Sequence, residues 1–214
     1  MASLFNDLAQ NPDCFRRWIV TDGSARKRSE LARLVDRAQG VDPSFRVHSH
    51  NVAALSVRIG KALGLSAAEL EILEFAAAFH DVGKIGVPAA VIAKRGPLDD
   101  AEWASMRRHP TEGVRLLEPH VRSSGILAIV RSHHERWDGS GYPDGLAGEE
   151  IPLGARIVAV ADAFTAMVEP RPYRAPRGRA VARSELLGQA GRQFDLICAR
   201  VGFGVTARVA AAAT

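Results

Sequence analysis

Two adjacent histidines, His133 and His134, open the segment "HHERWDGSGYP", which is too rich in Gly and Pro to continue a helix. A second fragment, "HDVGKIG", sets His80 beside Asp81 where a helix stops at Gly83. Neighbours within a helix diverge by about 100°, but at a helix end both side chains can enter one cavity. Imidazole nitrogen and carboxylate oxygen together form the donor set of borderline divalent ions such as Mn, Fe, Co or Zn, and a carboxylate can bridge two of them. Two such ions about 3.5 to 4 Å apart lower the pKa of a shared water, supply hydroxide at neutral pH and offset charge on phosphoryl oxygens. The chemistry this points to is divalent-metal binding.

The elements that must bring these residues together are helices. Val52, Leu55, Ile59 and Leu63 form one stripe over 46–63, and His48 shares it whereas His50 does not. Ser66 and Glu69 make a capping-box pattern for a helix carrying Leu70, Leu73, Ala77 and His80. Asp99 and Glu102 repeat that pattern ahead of the run "AEWASMRRHPTEGVRLL", which contains His109. A helix over about 123–135 carries Ile126, Ile129, Val130 and His133. Another begins at Pro152 and carries Ala155, Val158, Ala159 and Asp162 as far as about Val168. Alternating β-branched residues never persist, so the expected fold class is all-α, a helical bundle with one Gly/Pro-rich loop.

Each candidate taken alone has an ordinary explanation. His48 or His109 could be a hydrogen-bonded core histidine, and Asp162 could be the buried partner of Arg156. His133 and His134 could cap a helix end, and Tyr142 could be a packed aromatic with its hydroxyl outside. His120, beside Pro119, reads as a surface residue. These explanations do not cover five of the seven histidines falling with two acids on buried faces or helix ends. An ionised Asp162 on an Ala/Val face is costly unless a cation offsets it.

With 214 residues, 47% apolar and 24% charged, the chain fits one domain, with or without an appendage, and is not a disordered polymer. The longest apolar runs, "FAAAF" and "IVAVA", fall far short of the roughly 18 residues that span a bilayer, so no membrane segment is expected. The first residues do not read as a signal peptide, and Cys14 and Cys198 lack metal or redox spacing. The expectation is a cytoplasmic protein. The net charge of +4 is concentrated in arginines after residue 170 without interleaved aromatics. That pattern predicts a solvated basic face or phosphate contacts rather than a DNA or RNA partner.

"HDVGKIG", "HHERWDGSGYP" and "IPLGARI", in this order with His48, His109, Asp162 and "RPYR", resemble the HD-GYP domain, a branch of the HD phosphohydrolase superfamily. The resemblance covers roughly 46–200. It leaves 1–45 as an N-terminal extension with one amphipathic helix around Leu31, Leu34, Val35 and Ala38. Residues 201–214 are left as an Ala-rich tail that reads as an incomplete last helix.

What the resemblance implies is an all-helical HD bundle holding divalent ions, iron or manganese. His48, His80, Asp81 and Asp162 would serve one ion; Asp81, as bridge, would serve the other with His109, His133 and His134. Members with a third ion carry a Glu one helical turn before the first His; Ser44 stands there, so two ions are predicted. The implied reaction is hydrolysis of cyclic di-GMP to linear pGpG, and in some members on to GMP, by a hydroxide bridging the ions. Lys84 would offer its charge to a nonbridging phosphate oxygen, and Arg171 and Arg174 would grip the dinucleotide. Gly141, Tyr142 and Pro143 would shape the rim, with Tyr142 toward the substrate, and could meet a GGDEF-type protein partner. Thr165, where members commonly have an acid, and "VEPRPYR" depart from the family pattern. Two other readings stay open: a phosphohydrolase acting on another nucleotide, and a catalytically silent module that binds a GGDEF-type partner.

Overall fold

Helix boundaries follow local chemistry. In a computed structural model, which describes residues 25–170 and 176–211, the Ser66 hydroxyl accepts from Glu69 N–H and the Glu69 carboxylate accepts from Ser66 N–H at 2.8 Å. Asp99 and Glu102 do the same at the next predicted start. The helices are α1 (Ala25–Val41), α2 (Phe45–Ala62), α3 (Ala67–Phe79), α4 (Ala89–Ile92), α5 (Asp100–Met106), α6 (His109–Leu117), α7 (Ser124–Ser132), α8 (Leu153–Val168), α9 (Arg179–Gly188) and α10 (Leu196–Ala211). Among the described residues there are also two 3-10 turns, Val82–Gly86 and Gly148–Glu150. Among the described residues there is no strand beyond an isolated bridge between Ala190 and Phe194, and no helix is long and apolar enough to cross a membrane.

Helices α2, α3 and α8 form the centre, with α7 against α3 and α6 against the first 3-10 turn. Ala76, Ala77 and Ala78 let helices approach α3 closely, and the Phe75 and Phe79 rings stack with centroids 4.7 Å apart. Leu31, Leu34, Val35 and Ala38 of α1 bury into this same core. The Ala-rich stretch is helical to Ala211, and α10 buries Cys198, whose thiol is pushed up to about 12 chiefly by burial.

The run that follows Asp99 divides into α5 and α6 instead of forming one helix. The reason is Pro110: in an uninterrupted helix its ring would clash with the Met106 carbonyl. The break leaves that carbonyl without its helical amide. Helix α7 begins where Ser123 accepts from Ile126 N–H at 3.3 Å, and it delivers His133 and His134 at its far end. Ser123→Ala is expected to cost about 1 kcal/mol, read as a lower denaturant midpoint with unchanged slope.

Past His134, the glycine-rich loop is clamped. Trp137 N–H donates to Gln193 O at 3.1 Å and Asp138 N–H to Arg192 O at 2.9 Å. The Glu135 carboxylate accepts from Asp144 N–H at 2.6 Å and Gly145 N–H at 3.1 Å, and Arg131 donates twice to Asp144. Gly141 is required by close approach, because a Cβ there would lie 2.4 Å from Arg136 N and 2.5 Å from Glu135 Cα. The Tyr142–Pro143 peptide is cis.

Candidate metal centre

Orphan carbonyls at helix ends orient the histidines. The last carbonyls of an α-helix have no intrahelical donor. Here His80 Nδ1–H donates to Ala77 O at 2.7 Å, His109 Nδ1–H to Met106 O at 2.8 Å and His133 Nδ1–H to Val130 O at 2.7 Å. Those carbonyls lie in the last turns of α3, α5 and α7. A carbonyl can only accept, so Nδ1 carries the proton in each ring and Nε2 of the neutral ring presents a lone pair.

The lone pairs converge. His109 Nε2 lies 3.1 Å from His133 Nε2 and 3.3 Å from Asp81 Oδ1. His80 Nε2 is buried without a hydrogen-bond partner and lies 3.4 Å from Asp81 Oδ2. Ligand atoms of Asp81, His109, His133 and His134 lie within 4.8 Å of one another, as do those of His48, His80 and Asp162. Asp81, only 4% exposed, turns one oxygen to each group. Acceptors facing acceptors out of reach of water are unfavourable unless a cation lies among them, and imidazole with carboxylate is a donor set that divalent metals take. The residues therefore fit a metal centre.

At His109, His133 and His134 the electrostatics agree with that donor set. Burial, the largest cause, pushes the His109 imidazole down to about 3 and His134 to about 4, with nearby carboxylates opposing it, and holds His133 well below its ordinary value. These rings are neutral near pH 7, the form that binds metals. Burial opposes ionisation of Asp81, yet the Lys84 ammonium beside it holds its carboxyl well below the usual range. Asp162 is likewise lowered against burial, by His48. Burial would lower His48, but hydrogen bonds from its two ring nitrogens to Asp162 and Glu169 raise it to about 9.

Lys84 Nζ donates to Asp81 Oδ2 at 2.6 Å. The Tyr142 ring lies over His134, with centroids 4.9 Å apart and planes 30° apart, and so fixes that ring from the loop side. Gly141 and Pro143 flank it in the clamped loop. Beside Lys84 opens a groove of about 990 Å³, lined among others by Ser44, Trp103, Met106 and Pro170. Arg171 and Arg174 lie outside the described residues.

Three side chains stand differently from the sequence expectation. Arg156 pairs with Asp195 at 2.8 Å, not with Asp162. His120 is half-buried, with Nδ1 3.5 Å from a Glu30 carboxylate oxygen, where a surface residue was expected. Glu169, given no role by sequence reading, accepts from His48 Nδ1–H at 2.9 Å; its place seven residues after Asp162, two helical turns on, is the signal that could have found it. Arg107 was also missed: its guanidinium lies 5.7 Å from the Trp103 ring and 5.8 Å from the Tyr142 ring, joining groove and loop.

A family model described as HD domain matches residues 27–196. The cyclic di-GMP phosphodiesterase response regulator RpfG of Xanthomonas campestris is 45% identical over 173 residues, which span 79% of this chain and 45% of the relative. The 3'3'-cGAMP-specific phosphodiesterase 2 of Vibrio cholerae is 40% identical over 150 residues, spanning 69% of this chain and 29% of the relative. The chain thus spans less than half the length of these curated relatives. In fold it is similar to an HD-GYP-type protein of Bdellovibrio bacteriovorus, with TM-score 0.65, 17% identity, and coverage of 94% of this chain and 67% of that one.

Proposed function

The chain belongs to the HD-domain family, with the motifs of its HD-GYP branch, and from that premise we propose that it is a metal-dependent phosphodiesterase hydrolysing cyclic di-GMP to linear pGpG, the product that some members carry on to GMP. The observation that carries this reading is the convergence of the Nε2 atoms of His80 and His109 on the two oxygens of one buried aspartate, with His133 Nε2 beside them. Two divalent ions, iron or manganese, would be held by His48, His80, Asp81 and Asp162 on one side and by Asp81, His109, His133 and His134 on the other. Ser44, where a third ion would call for an acid, supports two. When bound, such ions activate water and offset charge on a phosphoryl group.

The chain's own groups bind and orient the diester. Lys84 sits at the mouth of the groove, where its ammonium can meet a nonbridging phosphate oxygen. The groove offers apolar walls and the Trp103 indole to a nucleobase. Tyr142 packs on His134 and keeps the loop side of the centre closed. Arg171 and Arg174 belong to this reading by family resemblance alone, as does a GGDEF-type partner at the Gly141 to Pro143 rim. A silent module is disfavoured, since such a module would have no physical reason to keep these buried acceptors together.

Relatives specific for 3'3'-cGAMP support a second reading, in which another cyclic dinucleotide is the substrate. A single assay separates them. Protein loaded with Mn²⁺ or Fe²⁺ is incubated with cyclic di-GMP, 3'3'-cGAMP and linear nucleotides. Cleavage of cyclic di-GMP to pGpG, abolished by a chelator and restored by the ion, is the expected result. Turnover that survives complete metal removal refutes the metal reading, and cleavage confined to the other nucleotides selects the second.

A further inference from the structure

Three of the ring anchors are backbone carbonyls, but His48 lies in the first turn of α2, where the carbonyls behind it serve helix hydrogen bonds. Its Nδ1 faces Glu169 Oε2 at 2.9 Å, while Nε2, on the other edge, faces Asp162 Oδ1 at 3.0 Å. The other Glu169 oxygen accepts from the Asn51 side-chain amide at 2.6 Å, and Asn51 lies one turn after His48. Pro170 helps to make this possible. A residue before proline is driven to extended backbone, and Glu169, at φ −84° and ψ 145°, leaves the helix there. Two carboxylates thus grip opposite edges of one imidazole, and the Nε2 edge is the one that faces Asp162, which is grouped with His48 and His80.

We propose that Glu169 is a positioning residue for the ion held by His48, His80 and Asp162. It holds a His48 proton at Nδ1, so that Nε2, on giving up its own proton to solvent as the ion binds, faces the metal, and its carboxylate makes that nitrogen a stronger donor than the carbonyl-anchored rings of the other group. The two ions are then held unequally, the His48 ion more tightly. The proposal rests on the metal-binding half of the proposed function and on no assumption about substrate.

The test is a calorimetric titration of the metal-stripped 214-residue chain with Mn²⁺, comparing wild type with Glu169→Ala, Glu169→Gln and His134→Ala. Wild type is expected to bind in two steps. Glu169→Ala should weaken the tighter step about 10- to 100-fold and leave the weaker one in place. Glu169→Gln, whose amide oxygen still accepts the Nδ1 proton without the charge, should fall between, and it carries the test if the alanine variant fails to fold. His134→Ala should weaken the other step. Nitrogen-15 spectra of the loaded histidines provide a second readout, with His48 protonated at Nδ1 in wild type and less uniformly so in Glu169→Ala. Wild-type affinities in both Glu169 variants, or equal weakening of both steps, overturn the proposal. Absence of binding by wild type overturns the metal reading itself and this proposal with it.

Discussion

Asp81→Ala is expected to lose bound metal and on the order of a thousand-fold or more of phosphodiester turnover, the largest effect of any single substitution at the centre. Asp81 is the residue that touches both halves, with Oδ2 3.4 Å from His80 Nε2, Oδ1 3.3 Å from His109 Nε2 and Lys84 Nζ at 2.6 Å. Each histidine belongs to one half, so removing His133 or His48 should leave the other half's donors in place. Asp81→Asn separates charge from shape. The amide fills the same volume but cannot neutralise Lys84 or bridge two cations, so it should resemble alanine in activity while folding like wild type. Metal analysis together with turnover on cyclic di-GMP checks both. Full metal content and near-normal turnover in Asp81→Asn would exclude a bridging carboxylate.

The second large effect is predicted for a residue with no chemistry of its own. A Cβ on Gly83 would lie 1.9 Å from His109 O, 2.4 Å from Gly113 N and 2.8 Å from His109 C. All three are backbone atoms of α6, so no side chain can swing aside, and α6 must lift from the 3-10 turn that carries Lys84. Gly83→Ala is therefore expected to destabilise by about 3 kcal/mol, at the upper end for overpacking, and to displace His109 from the centre. Gly86→Ala in the same turn is the control. Its Cβ would meet Glu112 Cγ at 3.0 Å, part of a flexible side chain, so a loss below about 1 kcal/mol is expected. Equal denaturation midpoints for the two variants would contradict the close approach.

The contrast between Asp81 and Gly83 also marks what a sequence can disclose. Helix starts at Ser66 and Asp99 are legible because a capping box is written within four residues, and the histidines are legible because each lies on a stripe or at a helix end. The division between α5 and α6 had its signal in Pro110, masked by an otherwise continuous helical run. Glu169 and Asp195 are harder to read. Their meaning depends on His48, 121 positions away, and Arg156, 39 positions away; the spacing of Glu169 from Asp162 marks a shared helix face but does not name the partner on it. His120 meets Glu30 for the same reason. The close approach at Gly83 is likewise a tertiary fact, visible only once α6 is placed.

The anchoring of His80, His109 and His133 on terminal carbonyls has an electrical side. The peptide dipoles of α3 and α7 end where His80 and His133 begin, and a helix end of this kind carries up to roughly half a negative charge. The polypeptide itself thus adds to the attraction for cations without spending further acidic side chains. The same field would oppose an anionic diester, so under the proposed function the ions would have to be held first, with the Lys84 ammonium beside them, for the pocket to attract a phosphate.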